Sequence, residues 1–124
     1  MVDIVQFQEE RLALNELVMA NANRDIKRFL NLDTQTYTDG ALPKKTKELL
    51  GLVASMVLRC DDCIKYHLIE CHKAGFTTEE ITEAFSVALI VGGSIVIPHL
   101  RRAYRSWEEL LDQPSDSRLL TPES

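Results

Sequence analysis

Apolar residues recur at three- and four-residue intervals from the beginning of this chain. Phe7, Leu14, Leu17 and Val18 form one such run and Ile26, Phe29 and Leu30 a second, with the polar NANRD between them as a break, so two helices are predicted. DTQTYTDGAL is rich in turn formers and predicts a loop. Pro43 then suits the first turn of a third helix, with Leu49, Leu50, Val53, Met56 and Val57 as its inner face and an end near Arg59. A fourth helix carries Cys60, Cys63, His67 and Cys71 and stops at Gly75, a residue that readily takes the left-handed conformation of a helix C-cap. GFTTEEI follows as a capping box: the Thr77 hydroxyl can accept from the Glu80 amide while the Glu80 carboxylate reaches back, and Phe76 is placed to staple onto Ile81. The helix so opened runs through Ala84, Phe85, Ala88 and Leu89. Gly92 and Gly93 interrupt it, and SIVIPHLRRAYRSWEELL resumes a helical pattern with Pro98 as a kink. No alternating strand pattern or internal repeat is visible. The expectation is an all-α compact bundle of about six helices, a single domain over 1–112 with its core motif at 43–93, and a frayed tail at 113–124.

Composition narrows the function. At 45% hydrophobic and 27% charged the chain has the profile of a globular protein, and its net charge of -5 gives nucleic acid or an anionic membrane no electrostatic reason to bind. No apolar run reaches the roughly 20 residues needed to span a bilayer. MVDIVQFQEER carries acids where a signal peptide would carry a basic region, so a cytoplasmic protein acting on small molecules or protein partners is expected. Three cysteines cannot all pair within one chain, and a reducing compartment keeps structural bridges open; a CxxC here suggests catalysis or metal before a staple.

That CxxC lies in RCDDCIKYH. At about 100° per residue, Cys60, Cys63, His67 and Cys71 share one narrow helical stripe, with Cys63 and His67 one turn apart. A thiolate is favoured near a helix N-terminus or beside an imidazole, and both conditions are met. The same stripe also reads as a buried face, since free cysteine packs like a small hydrophobe. A zinc site would need a ligand from elsewhere, because Cys60 and Cys71 lie about 16 Å apart on one helix. Haem attachment would need histidine where Ile64 stands, and a thioredoxin fold would need βαβ units that are absent from the pattern. A redox dithiol is the reading that best fits an all-helical scaffold, and the packed and metal-bound alternatives remain open at this level.

The segment Lys45 to Gly93, 49 of the 124 residues, resembles the core of the alkyl hydroperoxidase D and carboxymuconolactone decarboxylase superfamily. The resemblance rests on a Lys-Glu-Leu helix, CxxC with histidine four residues later, the Ala-Gly-x-Thr-x-Glu-Glu junction and the Gly-Gly break. It implies that Glu48, twelve residues before the first cysteine, is a relay carboxylate, His67 the relay imidazole, Cys63 the peroxidatic thiol and Cys60 the partner that closes a disulfide. It also implies a homo-oligomer, trimer or hexamer. One position departs: the peroxidase has histidine just before the second cysteine, and this chain has Asp62, which raises thiol pKa by like-charge repulsion and supplies no proton donor. The lactone decarboxylase branch typically lacks the cysteine pair, so its reaction does not carry over.

The leading expectation is therefore a thiol-dependent oxidoreductase, a peroxidase or disulfide reductase. It would have catalytic Cys60, Cys63, His67 and Glu48, modulating Asp62 and His99, and no metal or cofactor. Its partners would be a peroxide or disulfide and an external thiol reductant protein. The alternative is a non-catalytic helical binding or scaffold protein with a packed dithiol. Geometry adds a condition. On one unbroken helix Glu48 and His67 would stand about 28 Å apart, so a relay requires the chain to reverse near Leu58 to Cys60. Without the relay, Glu48 is a solvated carboxylate paired with Lys44 or Lys45. Cys71 is expected in the core, His72 away from it, and Trp107 with Tyr104 and Leu111 in a core or an oligomer contact. The arginines 101, 102 and 105 beside His99 would line a pocket mouth or form a solvated face.

Overall fold

Four of the six described α-helices begin with an N-cap side chain that accepts one of their free amides. Asp3 and Gln6 form a capping box at the start of α1 (Ile4–Asn21), and Asn23 accepts from the Ile26 amide at the start of α2 (Arg24–Thr36). α3 (Lys44–Val57) follows Pro43, and α4 (Asp61–Lys73) has Cys60 itself as N-cap. The predicted box at Thr77 is present, with Thr77 N–H donating to Glu80 Oε1 at 2.8 Å and Glu80 N–H to Thr77 Oγ1 at 3.2 Å, and it opens α5 (Thr78–Gly92). A short 3₁₀ turn, Ser94–Val96, leads into α6 (Ile97–Leu111). Over residues 3–113, which the computed structural model describes, the chain is thus an all-α bundle of six α-helices; the expected frayed tail lies, from residue 114 onward, outside them.

α4 runs through the middle, packed on α3 along one side and on α6 along the other, while α5 packs against α3. The core is made by Leu52 and Met56 of α3, Ile64, Leu68 and Cys71 of α4, Ile81 and Phe85 of α5, Trp107 of α6, and Ile4 with Phe7 of α1. Full burial of one such side chain removes apolar surface worth about 1.5–3 kcal/mol from water. Phe76 packs against this cluster, which contains its expected staple partner Ile81.

Two chain reversals frame α4, built alike. At the first, Cys60 N–H reaches the Ser55 carbonyl and Arg59 N–H the Met56 carbonyl, with Arg59 left-handed at φ 60°. At the second, Phe76 N–H reaches Cys71 and Gly75 N–H reaches His72, with Gly75 at φ 89°. Both are helix-terminating motifs that need one left-handed residue. The first is the reversal that a Glu48–His67 relay requires.

Several expectations are corrected. α2 continues to Thr36, so the loop begins at Tyr37 rather than at Asp33. The buried face of α3 is Glu48, Leu52, Ser55 and Met56; Leu49, Val53 and Val57 are only half-buried and Leu50 is 54% exposed. Met56 is buried as expected, and Leu49, Val53 and Val57 pack at the margin of the core; the periodicity passed over Leu52 and wrongly included Leu50. Pro98 does not kink a helix: it stands in the first turn of α6, where its missing N–H costs nothing. His72 is buried rather than outward, edge-on to Trp107 at 5.5 Å, because α6 covers the second side of α4. Leu111 is exposed, while Trp107 is fully buried and donates from Nε1 to Thr78 Oγ1 at 2.9 Å. α2 has no buried residue at all, although Ile26, Phe29 and Leu30 lie on it as predicted.

Candidate redox site

Cys60 and Cys63 are joined by a disulfide that spans the first turn of α4, with Cα atoms 5.3 Å apart. Cys60 is half-buried; its sulfur accepts the Cys63 amide at 3.3 Å, taking the place of a side-chain oxygen at the cap. Cys63, in the first turn, is exposed. The amides that open the helix favour a thiolate at this end, while Asp61 and Asp62 in the same turn oppose it. Asp61 is largely neutralised locally: His99 Nδ1 lies 2.7 Å from Oδ1 and Arg102 Nε donates to Oδ2 at 3.0 Å. Partial burial pushes the Asp61 carboxyl up, but the His99 hydrogen bond and the Arg102 charge outweigh it and hold the group below its ordinary value.

One turn beyond Cys63, His67 is buried, and its Nδ1 lies 2.8 Å from Oε1 of Glu48, a carboxylate that is 1% exposed. Lys44 Nζ donates to the other oxygen, Oε2, at 2.8 Å. Burial alone pushes the Glu48 carboxyl up, yet the bonds from His67 and Lys44 and the Lys44 charge outweigh it, so Glu48 stays ionised. A carboxylate can only accept, so Glu48 fixes a hydrogen on His67 Nδ1 and leaves Nε2 as the nitrogen that gains or loses the second proton. Lys44 also reaches Glu70 at 3.4 Å, and Lys73 holds that acid's other oxygen at 3.0 Å. Glu48 is consequently not the solvated acid of the plain sequence reading.

Gly51 makes room for this arrangement. A Cβ there would lie 2.6 Å from His67 Cε1, 2.8 Å from Nε2 and 2.8 Å from the Tyr37 hydroxyl. Tyr37 and Tyr66 flank the imidazole, with ring centroids 5.4 and 5.2 Å away. Burial first, then the charge of Glu48, pushes the Tyr37 phenol up and keeps it neutral.

His67 and Cys63 open together onto a cleft of about 450 Å³ whose walls are Phe7, Leu14 and Tyr66, with Glu10, Arg11, Asn15, Asp33 and Asp62 around them. Asp62 belongs to this cleft. His99 does not: it secures Asp61 behind the cysteines. A second and larger trough, about 760 Å³ and mostly apolar, runs between α3 and α5; Leu50, Val53, Val57, Leu58, Val87 and Val91 line it together with Glu80 and Glu83. Cys71 is fully buried and its thiol is pushed up by burial to about 12, so the third cysteine is a core residue. Among the described residues no three His, Cys, Asp or Glu side chains converge as metal ligands.

Sequence reasoning missed Gly51, Tyr37 and the walls contributed by α1 and α2. Gly51 carried a usable signal, because glycine inside a helix costs about 1 kcal/mol relative to alanine and implies a packing reason. Phe7, Arg11 and Asp33 carried none, since their approach to Cys63 is purely tertiary.

The fold and site together define an all-helical bundle with a disulfide-forming CxxC at the head of its central helix and a buried carboxylate–imidazole pair one turn on. The chain belongs to the carboxymuconolactone decarboxylase family, whose model matches residues 26–106. It is 34% identical over 98 residues to uncharacterized protein 4 of the cox locus of Paracoccus denitrificans, covering 79% of this chain and 87% of that one. Its fold is similar to a crystal structure of a Thermotoga maritima family member for which an antioxidative role has been suggested: 53% identity, TM-score 0.87, 94% of this chain and 99% of the other covered. A Legionella pneumophila family member, crystallised in its apo form, matches at 25% identity with a TM-score of 0.79, over 86% of this chain and 96% of the other.

Proposed function

We propose that the protein is a thiol-dependent oxidoreductase that reduces a peroxide or a disulfide with the Cys60–Cys63 dithiol. The observation that carries this reading is the exposure of Cys63 in a cleft shared with His67, whose other nitrogen is bonded to the buried Glu48. In the reduced protein His67 Nε2 takes the Cys63 proton, and Glu48 stabilises the imidazolium that results. With a hydroperoxide, the thiolate attacks the terminal oxygen, the O–O bond breaks, the alcohol leaves with the proton from His67, and Cys63 becomes a sulfenic acid. Cys60 then attacks the Cys63 sulfur, water leaves, and the disulfide forms. An external thiol protein returns two electrons and two protons. A packed, inert thiol describes Cys71 well and Cys63 poorly. Dithiol recycling suits a reducing compartment, which supports a cytoplasmic setting, and no described helix is long and apolar enough to cross a membrane.

The working form is a homo-oligomer. Supporting this are the stripe of α2, with Phe29 70% and Leu32 61% exposed, and the apolar trough beside α3, since contiguous exposed apolar surface marks an interaction site. Light scattering on the purified chain is expected to give more than one subunit, and a single-subunit mass at micromolar concentration would overturn it.

Intact mass tests the chemistry. Stoichiometric peroxide added to the reduced protein is expected to remove two hydrogens, and Cys63→Ser is expected to abolish that loss. Persistence of the loss in the variant, or its absence from the wild type, would sink the mechanism.

A further inference from the structure

The cleft over Cys63 is unevenly charged. Around its rim stand three carboxylates, Glu10 of α1, Asp33 of α2 and Asp62 of α4, against a single guanidinium, Arg11. Arg11 lies over the Tyr66 ring, its Cζ 4.4 Å from the centroid. At the floor, the charge of Glu48 is met by Lys44 and His67. Anything approaching the exposed sulfur therefore passes lining residues with two net negative charges, offset in part by Lys65, whose Nζ lies 5.7 Å from the ring centroid of the wall residue Phe7.

Resting on the dithiol reading above, we infer that this cleft selects its disulfide substrate by charge, admitting amine-bearing cationic disulfides, tolerating neutral ones and slowing those that carry carboxylates. The site itself is the cysteine pair, and the rim carboxylates set what reaches it. Across several ångströms of largely aqueous cleft each charge pair contributes modestly, but two net charges acting with opposite sign on a cation and an anion separate their rates by about tenfold at low salt. Asp62 thereby acquires a role: it biases which substrate meets the thiols.

The reaction balances without a further reagent. The Cys63 thiolate attacks one sulfur of R–S–S–R, a mixed disulfide forms, and the first R–S⁻ leaves and takes a proton from His67. Cys60 then attacks the Cys63 sulfur, and the second R–SH departs with the Cys60 proton. Two electrons pass from the dithiol to the substrate, leaving the Cys60–Cys63 disulfide and two small thiols.

The test mixes reduced protein with cystamine (cationic), bis(2-hydroxyethyl) disulfide (neutral) or dithiodiglycolate (anionic). Each rate is divided by that of the same disulfide with dithiothreitol, which removes differences in leaving-group reactivity. The normalised cation-to-anion ratio is expected to be about tenfold at low ionic strength and to approach one in roughly 0.5 M salt, where the screening length falls to a few ångströms. In the double variant Glu10→Gln, Asp33→Asn, both positions being exposed, the low-salt ratio is expected to drop to about threefold or below. A wild-type ratio near one at low salt, or a ratio insensitive to both salt and variant, overturns the charge selection. Failure of even the neutral disulfide to oxidise the pair overturns the dithiol reading itself, so the two failures are distinct.

Discussion

His67 Nδ1 and Glu48 Oε1 meet at 2.8 Å although nineteen residues separate them, because the chain turns back at Leu58 to Cys60 and lays α4 against α3. Whether that bond serves the thiol can be read from rates. Replacing His67 with alanine removes the proton acceptor and is expected to slow oxidation of the dithiol at pH 7 by about a hundredfold, within the range for loss of a general base. Glu48→Gln keeps the imidazole but not its counter-charge, and about tenfold is expected, with the Cys63 pKa moved upward. Thiol-reagent kinetics against pH check both; an unmoved Cys63 pKa in Glu48→Gln would separate the pair from the chemistry.

Gly51→Ala tests the space in front of the imidazole. Its Cβ would meet His67 Cε1 at 2.6 Å, and His67 is held by Glu48 and cannot retreat freely. About 1–3 kcal/mol of destabilisation is expected, as for overpacking, together with a loss of thiol reactivity. Gly40→Ala is the control: its Cβ meets nothing closer than the Lys47 ammonium at 3.6 Å, and a change within about 0.5 kcal/mol is expected in urea unfolding.

The acid limb of stability should depend on Glu48. Its pKa is lowered on folding from an unfolded value near 4.5, so its contribution is complete above that pH and is lost as pH falls through the folded value. The difference in unfolding free energy between wild type and Glu48→Gln is expected to be larger at pH 7 than at pH 3. A difference independent of pH would mean that the ionised form contributes nothing.

Cys71 should be silent until the protein unfolds. With the dithiol reduced, a thiol reagent at neutral pH is expected to label two cysteines quickly and the third only in denaturant, because Cys71 is fully buried with its thiol pushed to about 12. Cys71→Ala is expected to cost about 1–2 kcal/mol as a small core deletion and to leave labelling of the other two unchanged.

Arg59 occupies a left-handed conformation at φ 60°, immediately before Cys60. Such a backbone costs a non-glycine residue about 1–2 kcal/mol, and glycine returns part of the gain through unfolded-chain entropy. Arg59→Gly is expected to stabilise the fold by about 0.5–1 kcal/mol, read as a shift of the urea midpoint at constant slope.

Much of this fold is written locally. The capping box at Thr77 and Glu80 and the glycine stop at Gly75 each depend on residues close to one another in the chain, and each stands where the sequence placed it. The stripe of Cys60, Cys63 and His67 is local as well, since one helix fixes it. Errors arose where a helix had two apolar sides or a second neighbour. On α3 the pattern favoured Leu49, Leu50, Val53, Met56 and Val57, of which Met56 alone is buried, and it passed over Leu52; on α4 the residue expected to point away, His72, is covered by Trp107.

By itself, then, the sequence determined the helices, their caps and the order of the thiols and imidazole along one face, because those follow from the rise and turn of a single helix. Only the tertiary structure decided that Glu48 leaves solvent to bond His67, that Gly51 clears the imidazole, and that α1 and α2 bring Arg11 and Asp33 to the mouth of the Cys63 cleft. Packing between distant segments sets burial and charge environment, and no periodicity within a segment encodes which partner will arrive.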